Sequence, residues 1–587
     1  MDYSKATEFE SCSVILRGII DYLEETCGGD TSLNANQKAM IADVESYIES
    51  QARLKRKLLQ IGIALSAERN IDALLEMIVA EAMDFTNADG GTLYIISPDE
   101  QSLIFKIVRT NSLKIKKGGL SGDPLPFNPV PLYKADGTRN IQNVSSYVAL
   151  TGETINLPDV YEVEGFDFKG TREYDKKYNY RSCSMLVTPL KNHEREIIGV
   201  LQLINATGRN GNTIQFSTDY QFLIEAMASQ AAIAITNTTL IRELKDLLNS
   251  FVKVIATAID QKSPYTGGHM RRVAELTLDM AMGLCNSEDN KWENFSLTPD
   301  EYEELKIASW MHDIGKITTP DQVFDKCTKL ETFYDRINAV TMKLEIFKRD
   351  IEIKYLKKKA ELEAEHGGNG HSALQRLDED FTRRLSEIDD DVEFLKKVNI
   401  GGEFVSDDKI ERLQKVASYK IAIGGKTEAL LNDDELINLC IRRGTLTDAE
   451  RKKMNEHVEV TYKMLSQLPW PKKMKHIPIY ACQHHEKLDG TGYPNAVPAE
   501  RLSTQSRIMA IADIFEALTA ADRPYRPGKK LSECVTILGF MVRDKHIDKE
   551  LVDFFITSGL MEHYAKKEMK DYQLDDFVYN GKEYKVQ

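Results

Sequence analysis

The sequence predicts a multidomain protein: a helical N-terminal segment, an α+β domain, and an all-α region interrupted by an antiparallel helical hairpin. Three observations carry this. With 587 residues, at about 150 per domain, the chain has room for three or four domains. Short runs rich in β-branched and aromatic residues, such as Gly91–Ser97 and Leu103–Val108, alternate with helical spacing up to about residue 245. Beyond that point apolar residues recur at steps of three and four.

The composition, 42% hydrophobic and 28% charged, is that of an ordinary globular protein. No apolar run reaches the ~18 residues needed to cross a bilayer. Met1–Glu10 is polar and acidic and lacks the basic-then-apolar order of a signal peptide, so a cytoplasmic location is expected. The eight cysteines are scattered without a CxxC pair and read as reduced thiols. A net charge of −15 excludes a general binder of nucleic-acid polymers. A small anionic substrate stays open, because bound cations can dominate the field of a cleft.

In residues 1–54, Val14, Leu16, Ile19, Ile20 and Leu23 recur at helical spacing, Gly28-Gly29 breaks the run, and Ile41, Val44 and Ile48 resume it. A packing or oligomerising role is expected there. Residues 55–217 hold an amphipathic helix, Ile71–Met83, two strands, a Gly- and Pro-rich loop from Gly118 to Pro131, and strands near 154–157, 184–189 and 197–204. Residues 218–260 lack Gly and Pro and form one helix, ~60 Å long at 1.5 Å per residue. Its apolar positions include Leu223, Met227, Ala231, Ile235, Leu240, Leu244, Leu248, Val252 and Ile255. Such a rod either pairs with its copy in a homodimer and carries a twist to an output domain, or packs on its own domains.

Ser182–Leu190, Ile198–Asn205, Phe216 and the helix through Ala228–Ala234 resemble a GAF domain. The family's cyclic-nucleotide signature is Asn-Lys…Phe…Asp-Glu. Asn205 and Phe216 fit it, but Ala206, Tyr220 and Gln221 replace the Lys, Asp and Glu, so a cyclic nucleotide is not the expected ligand. An unidentified small ligand, or dimerisation alone, is what the resemblance leaves.

Residues 261–325 and 441–587 read as two parts of one helical domain, separated by an insertion at 326–440. In the insertion, Ile337, Val340, Leu344, Phe347 and Ile351 step by three and four, Gly367–Gly370 breaks the pattern, and Leu374, Leu377, Phe381, Leu385, Ile388, Val392 and Leu395 resume it. This predicts a hairpin with arms of ~30 residues. His366 and His371 flank its tip and read as solvated turn residues; residues 400–445 read as a return segment.

The chemistry gathers around Ala308–Lys316, where His312 and Asp313 are adjacent and Lys316 follows one helical turn later. Alone, the pair is either a core histidine bonded to its neighbour or two ligands of a dinuclear site, with Asp313 bridging. Lys316 would then neutralise a phosphate oxygen or protonate an alkoxide. His457, His484, His485, Asp489-Gly490-Thr491-Gly492-Tyr493-Pro494, Asp513 and the basic loop Asp522–Lys530 follow. Six of the eleven histidines lie in or beside these elements: His269, His312, His457, His484, His485 and, more loosely, His476. Burying such a set around one cavity is costly unless cations pair it. Nitrogen and carboxylate ligands without thiolates suit iron or manganese, with zinc, nickel or magnesium as alternatives. Arg271-Arg272 reads as a surface pair.

Taken together, these motifs resemble the HD-GYP branch of the HD phosphohydrolases. The resemblance implies an all-helical fold and hydrolysis of a cyclic dinucleotide, c-di-GMP to pGpG or GMP, with a mixed GMP–AMP dinucleotide as the other candidate. It implies metal ligands His312, Asp313, His457, His484, His485 and Asp513, and catalytic roles for Lys316 and Asp313. Arg523, Arg526, His269 and Tyr493 would contact substrate. Members with a third metal carry a Glu where this chain has Tyr265, so two cations are expected, with His269 beside them. Glu516 stands where the family frequently has Asp. A receptor that binds the dinucleotide without hydrolysis is the alternative, and oxidation at a di-iron centre a third reading.

Overall fold

A computed structural model describes residue 56 and residues 59–586, apart from 69, 124, 209, 263–266, 367–370 and 522–527. The helices expected in residues 1–54 lie outside the described residues. The chain divides into two compact units, Met1–Asp246 and Leu247–Gln587.

In the first unit, helical residues 59–67, with Ile61 and Leu65 in the core, precede the helix Ile71–Thr86. Asn70 caps it by accepting from the Asp72 and Ala73 amides, and Asn87 ends it in the left-handed region. An antiparallel sheet follows: β1 (Ala88–Ile96), β2 (Ser102–Thr110), β3 (Ile115–Gly118), β4 (Val130–Pro131), β5 (Ile155–Leu157), β6 (Met185–Lys191), β7 (Ile197–Thr207) and β8 (Thr213–Ile214). Its order is β3-β2-β1-β7-β6-β5, with β4 on β2 and β8 on β7. Alternation along the strands feeds two cores. Leu93, Leu186, Leu201 and Leu203 pack with Leu74, Ile78 and Met227, whereas Tyr94, Val187 and Val200 pack with Val148. Burial on both faces explains why β6 and β7 read as continuous apolar runs. The α+β architecture expected from sequence is observed. β3, β4 and β8 and the helices Val144–Thr151 and Lys169–Tyr178 are additions to it. The helix Thr218–Asp260 runs unbroken for 43 residues.

The second unit is helical around a core built from Val252, Met270, Leu305, Met311, Ile508, Phe515 and Phe555, among others. The insertion is the expected hairpin: Ile337–His366 and His371–Ile400, 30 residues each, with Tyr355 stacked on Phe381 at 4.1 Å. It has a separate core that includes Leu330, Val340, Leu344, Ile388, Leu395, Leu413 and Leu439. Two small hairpins, Lys420–Ile423 with Lys426–Ala429 and Phe577–Tyr579 with Lys582–Tyr584, supplement the helices. Among the described residues no helix is long and apolar enough to cross a membrane.

One contact fixes the central turn. Thr461, fully buried on the helix Asp448–Ser466, accepts from the Gly315 amide at 2.9 Å and donates to the His312 carbonyl at 3.1 Å. Gly315 lies so close to that helix that a Cβ would sit 1.9 Å from the His457 carbonyl oxygen. Thr461→Val keeps the shape but leaves a buried amide unpaired, and costs the second unit ~1–3 kcal/mol. All three tryptophans, Trp292, Trp310 and Trp470, lie in that unit, so urea unfolding followed by their fluorescence reads the loss.

Candidate metal centre

Five segments distant in sequence converge. His269 opens the helix His269–Cys285. His312 ends the helix Pro299–Met311, which starts on a capping box of Thr298 and Glu301. His457 lies within Asp448–Ser466, His484-His485 follow Ile477–Cys482, and Asp513 lies within Thr504–Thr519.

Three of the imidazoles share one arrangement. His312 Nδ1 faces the Ser309 carbonyl at 2.8 Å, His457 Nδ1 the Met454 carbonyl at 2.6 Å, and His484 Nδ1 the Ala481 carbonyl at 2.6 Å. A carbonyl only accepts, so each Nδ1 carries the proton and each Nε2 points inward. Those three Nε2 atoms and Asp313 Oδ1 are buried without a hydrogen-bond partner. They nonetheless crowd one another: Asp313 Oδ1 is 3.1 Å from His457 Nε2 and 3.8 Å from His484 Nε2. Asp313 Oδ2 is 3.2 Å from His312 Nε2 and 3.3 Å from His269 Nε2. Asp513 Oδ1 lies 3.5 Å from His269 Nε2 and 3.7 Å from His312 Nε2. Buried ligand atoms without partners are what a cation would satisfy. They form two groups, Asp313 with His457, His484 and His485, and Asp313 with His269, His312 and Asp513. Asp313 belongs to both, as a bridging carboxylate would. Iron or manganese fits this donor set.

His269, expected beside the cations, therefore stands among the ligand atoms. Its Nδ1 meets Glu516 Oε2 at 2.5 Å, and Arg272 Nε holds Glu516 Oε1 at 2.7 Å. Arg272 is accordingly not half of a surface pair; Arg271 binds Glu275 and Glu568 instead. Lys316 Nζ reaches Asp313 Oδ2 at 2.5 Å. Tyr493 stacks on His485 at 4.8 Å, and its loop is held by Glu486, which accepts from the Asn495 and Val497 amides at 2.8 and 2.9 Å. His476 bonds Glu304 rather than joining the centre, and His371 is exposed. Arg523, Arg526 and Tyr265 lie outside the described residues. The sequence pattern gave no role to Glu486 and Thr461 and placed Arg272 on the surface. Glu516 carried one usable signal, its place three residues after Asp513 on the same helix face.

The field divides the histidines. Burial disfavours charge on His269, but Glu516 and Asp313 outweigh it and lift the imidazole to about 9. Burial likewise opposes charge on His312, and Asp313 with Asp513 overcomes it, to about 10. His484 and His485 are pushed down by burial and by the neighbouring imidazoles, His485 to about 4. Burial works against the Asp313 carboxylate, yet Lys316 and His312 hold it well below its usual range.

In the first unit, a cavity of about 480 Å³ is lined by Tyr94, Phe105, Phe127, Tyr174, Arg109 and Gln202, among others. Gln202 Oε1 accepts from Tyr94 and Ser145, each at 3.1 Å.

The GAF domain family matches residues 70–235 and the HD domain family residues 430–551. The chain carries a GAF domain and an HD domain. The HD match takes in His457, His484, His485 and Asp513; His312 and Asp313 lie before the insertion. The 3'3'-cGAMP-specific phosphodiesterase 1 of Vibrio cholerae is 42% identical over 80 residues, 14% of this chain and 18% of that protein. The cyclic di-GMP phosphodiesterase response regulator RpfG of Xanthomonas campestris is 31% identical over 119 residues, 20% of this chain and 30% of that protein. The chain thus spans less than a third of these curated relatives. The solved GAF domain of an Acinetobacter phosphoenolpyruvate-protein phosphotransferase is 15% identical, covering 32% of this chain and 98% of that one, at a TM-score of 0.24.

Before a cation binds, His269 and His312 carry protons at neutral pH, and ligation must displace them. Loading the protein with Mn²⁺ at pH 7.5 therefore releases protons. Calorimetry in buffers of different ionisation enthalpy detects the release as a buffer-dependent heat. A heat independent of buffer contradicts this assignment.

Proposed function

We propose that this protein is a metal-dependent phosphodiesterase that hydrolyses a cyclic dinucleotide, c-di-GMP first, to pGpG and GMP, under control of its GAF domain. The observation that carries the reading is the set of three inward Nε2 atoms around Asp313, buried and without hydrogen-bond partners. The relatives named as phosphodiesterases of cyclic di-GMP and of cGAMP support the substrate class. The ligands would be His312, Asp313, His457, His484, His485, Asp513 and His269. Two divalent cations held there supply Lewis acidity and an acidified water.

The chain's own residues do the rest. A water oxygen bonds phosphorus, the P–O3′ bond breaks, and the 3′ oxygen takes up a proton. Lys316, its side chain 22% exposed and its ammonium on Asp313, is the group to neutralise the phosphate and furnish that proton. Tyr493, stacked on His485, offers a face to a base. Arg523 and Arg526 are assigned the second phosphate or a guanine. In the GAF domain, the cavity beside Arg109 and Tyr94 supports an unidentified small ligand as the input. Leu240, Leu244, Leu247, Phe251 and Val254 are exposed at steps of four and three, a seam that supports pairing with a second copy.

Mn-loaded full-length protein is expected to convert c-di-GMP to pGpG, read by chromatography beside a cGAMP reaction. Asp313→Asn should abolish turnover. Lys316→Met should keep its cations by elemental analysis and lose about 10²–10³ in kcat, the scale of one lost transition-state donor. Intact substrate after incubation with metallated wild-type protein refutes the reading.

A further inference from the structure

The end of the long helix Thr218–Asp260 is built into the wall of the metal centre. Val252, Ala256 and Ile259, spaced by four and three, are buried in the core of the second unit. Two polar side chains then bind two different segments. Asp260 Oδ2 accepts from the Gly268 amide at 3.1 Å, at the start of the helix that carries His269. Lys262, two residues beyond the helix, places its ammonium on the carbonyls of Lys316 at 3.2 Å and Ile317 at 2.8 Å, and on that of Thr319. Asp321 Oδ1 stands 3.5 Å from the same ammonium.

These acceptors have a local origin. Ile314–Thr318 is a single 3₁₀ turn whose end is capped by the Thr319 amide on the Lys316 carbonyl, and the carbonyls at the end of such a turn point outward to further donors. A cation at that end is favourable on both hydrogen-bonding and dipole grounds. The Lys262 side chain is only 18% exposed, so its ammonium is exchanged from water onto three backbone oxygens, of which that of Lys316 also accepts from the Thr319 amide at 3.1 Å. The peptide so held is that of Lys316. Its own ammonium lies 2.5 Å from Asp313, the carboxylate shared by both ligand groups.

We infer that Lys262 is a positioning residue: it fixes the backbone of Lys316 to the end of the helix that leads from the GAF domain, so that a displacement of that end moves the Lys316 ammonium relative to the bound phosphate. The inference rests on the catalytic role proposed for Lys316. Lys262 stands apart from the ligand side chains: its ammonium meets backbone carbonyls and Asp321, not an imidazole or a ligand carboxylate. Misplacement of a reacting group by about 1 Å costs up to ~10²-fold in rate, so a modest shift is enough to regulate.

The test compares Lys262→Met and Lys262→Arg in the full-length, Mn-loaded protein. In the methionine variant kcat for c-di-GMP falls about 10- to 100-fold. KM and the cation content hold, and the Lys316 and Thr319 amides exchange with deuterium faster. Arginine, which keeps the charge and several donors, recovers most of the rate and the protection. Lys262→Gln substitutes for methionine if that variant does not fold. Unchanged kcat and exchange in the methionine and glutamine variants overturn the inference. So does loss of the cations, which would make Lys262 part of the centre's construction. Should wild-type protein leave c-di-GMP intact, the proposed function fails, while amide exchange still decides whether Lys262 holds the Lys316 turn.

Discussion

His312, His457 and His484 each give their Nδ1 proton to the carbonyl three residues earlier on their own chain. That local bond fixes ring orientation and tautomer without help from any long-range contact. It leaves three lone pairs directed at a buried carboxylate, an arrangement of acceptors facing acceptors. Such a cavity is unfavourable unless protons or cations fill it. The carboxylates meet part of the demand by drawing protons onto His269 and His312. His484 and His485 are pushed toward the neutral form, the form in which an imidazole can ligate.

The outer residues follow from the same constraint. His269 has no carbonyl at its Nδ1; Glu516 takes that place, and Arg272 in turn balances Glu516. This is a carboxylate orienting a histidine, with the charge passed outward until a guanidinium meets it. Gly315 lacks a side chain because the turn after Asp313 must lie against the backbone of the helix that carries His457. Gly492 answers a similar demand: a Cβ there would come within 2.4 Å of the Lys487 amide nitrogen. Gly315 and Gly492 thus serve close packing of the backbone rather than chemistry.

What could be read from sequence was the part with a period or a pairing cost. The buried strands β1, β6 and β7, the 43-residue helix and both arms of the insertion announced themselves through apolar spacing. The ligand set stood out because imidazoles and carboxylates on apolar helices need a reason to be buried. β3 is Ile-Lys-Lys-Gly and β4 two residues in a Pro-rich loop, too short for any pattern. His269 was set apart because the residue four before it is tyrosine. The shortness of its contacts to Asp313 and Asp513 is a property of the fold, which no spacing along one helix reveals. Lys262, Glu486 and Arg272 are ordinary polar residues until the fold gives them partners.

The insertion shows why so long a detour between Lys316 and His457 leaves the centre intact. Its entry and exit are clamped to each other. Lys326 Nζ binds Glu450 Oε1 and Asn438 Oδ1, each at 2.8 Å, and Thr445 donates to the Lys326 carbonyl at 3.0 Å. Lys329, fully buried, places its ammonium on the carbonyls of Leu439 and Ile441 at 3.1 and 2.7 Å. Gly401 passes so near the Gly444 carbonyl that a Cβ would stand 2.8 Å from it. The core of the insertion is its own. Lengthening a loop whose ends are already held together costs little, since closure entropy grows only with the logarithm of length. The helix that carries His457 therefore begins from the clamp and not from the distant hairpin tip. The geometry of the centre is served by two buried lysines that hold the insertion's entry to its exit, rather than by the hundred-odd residues of the insertion.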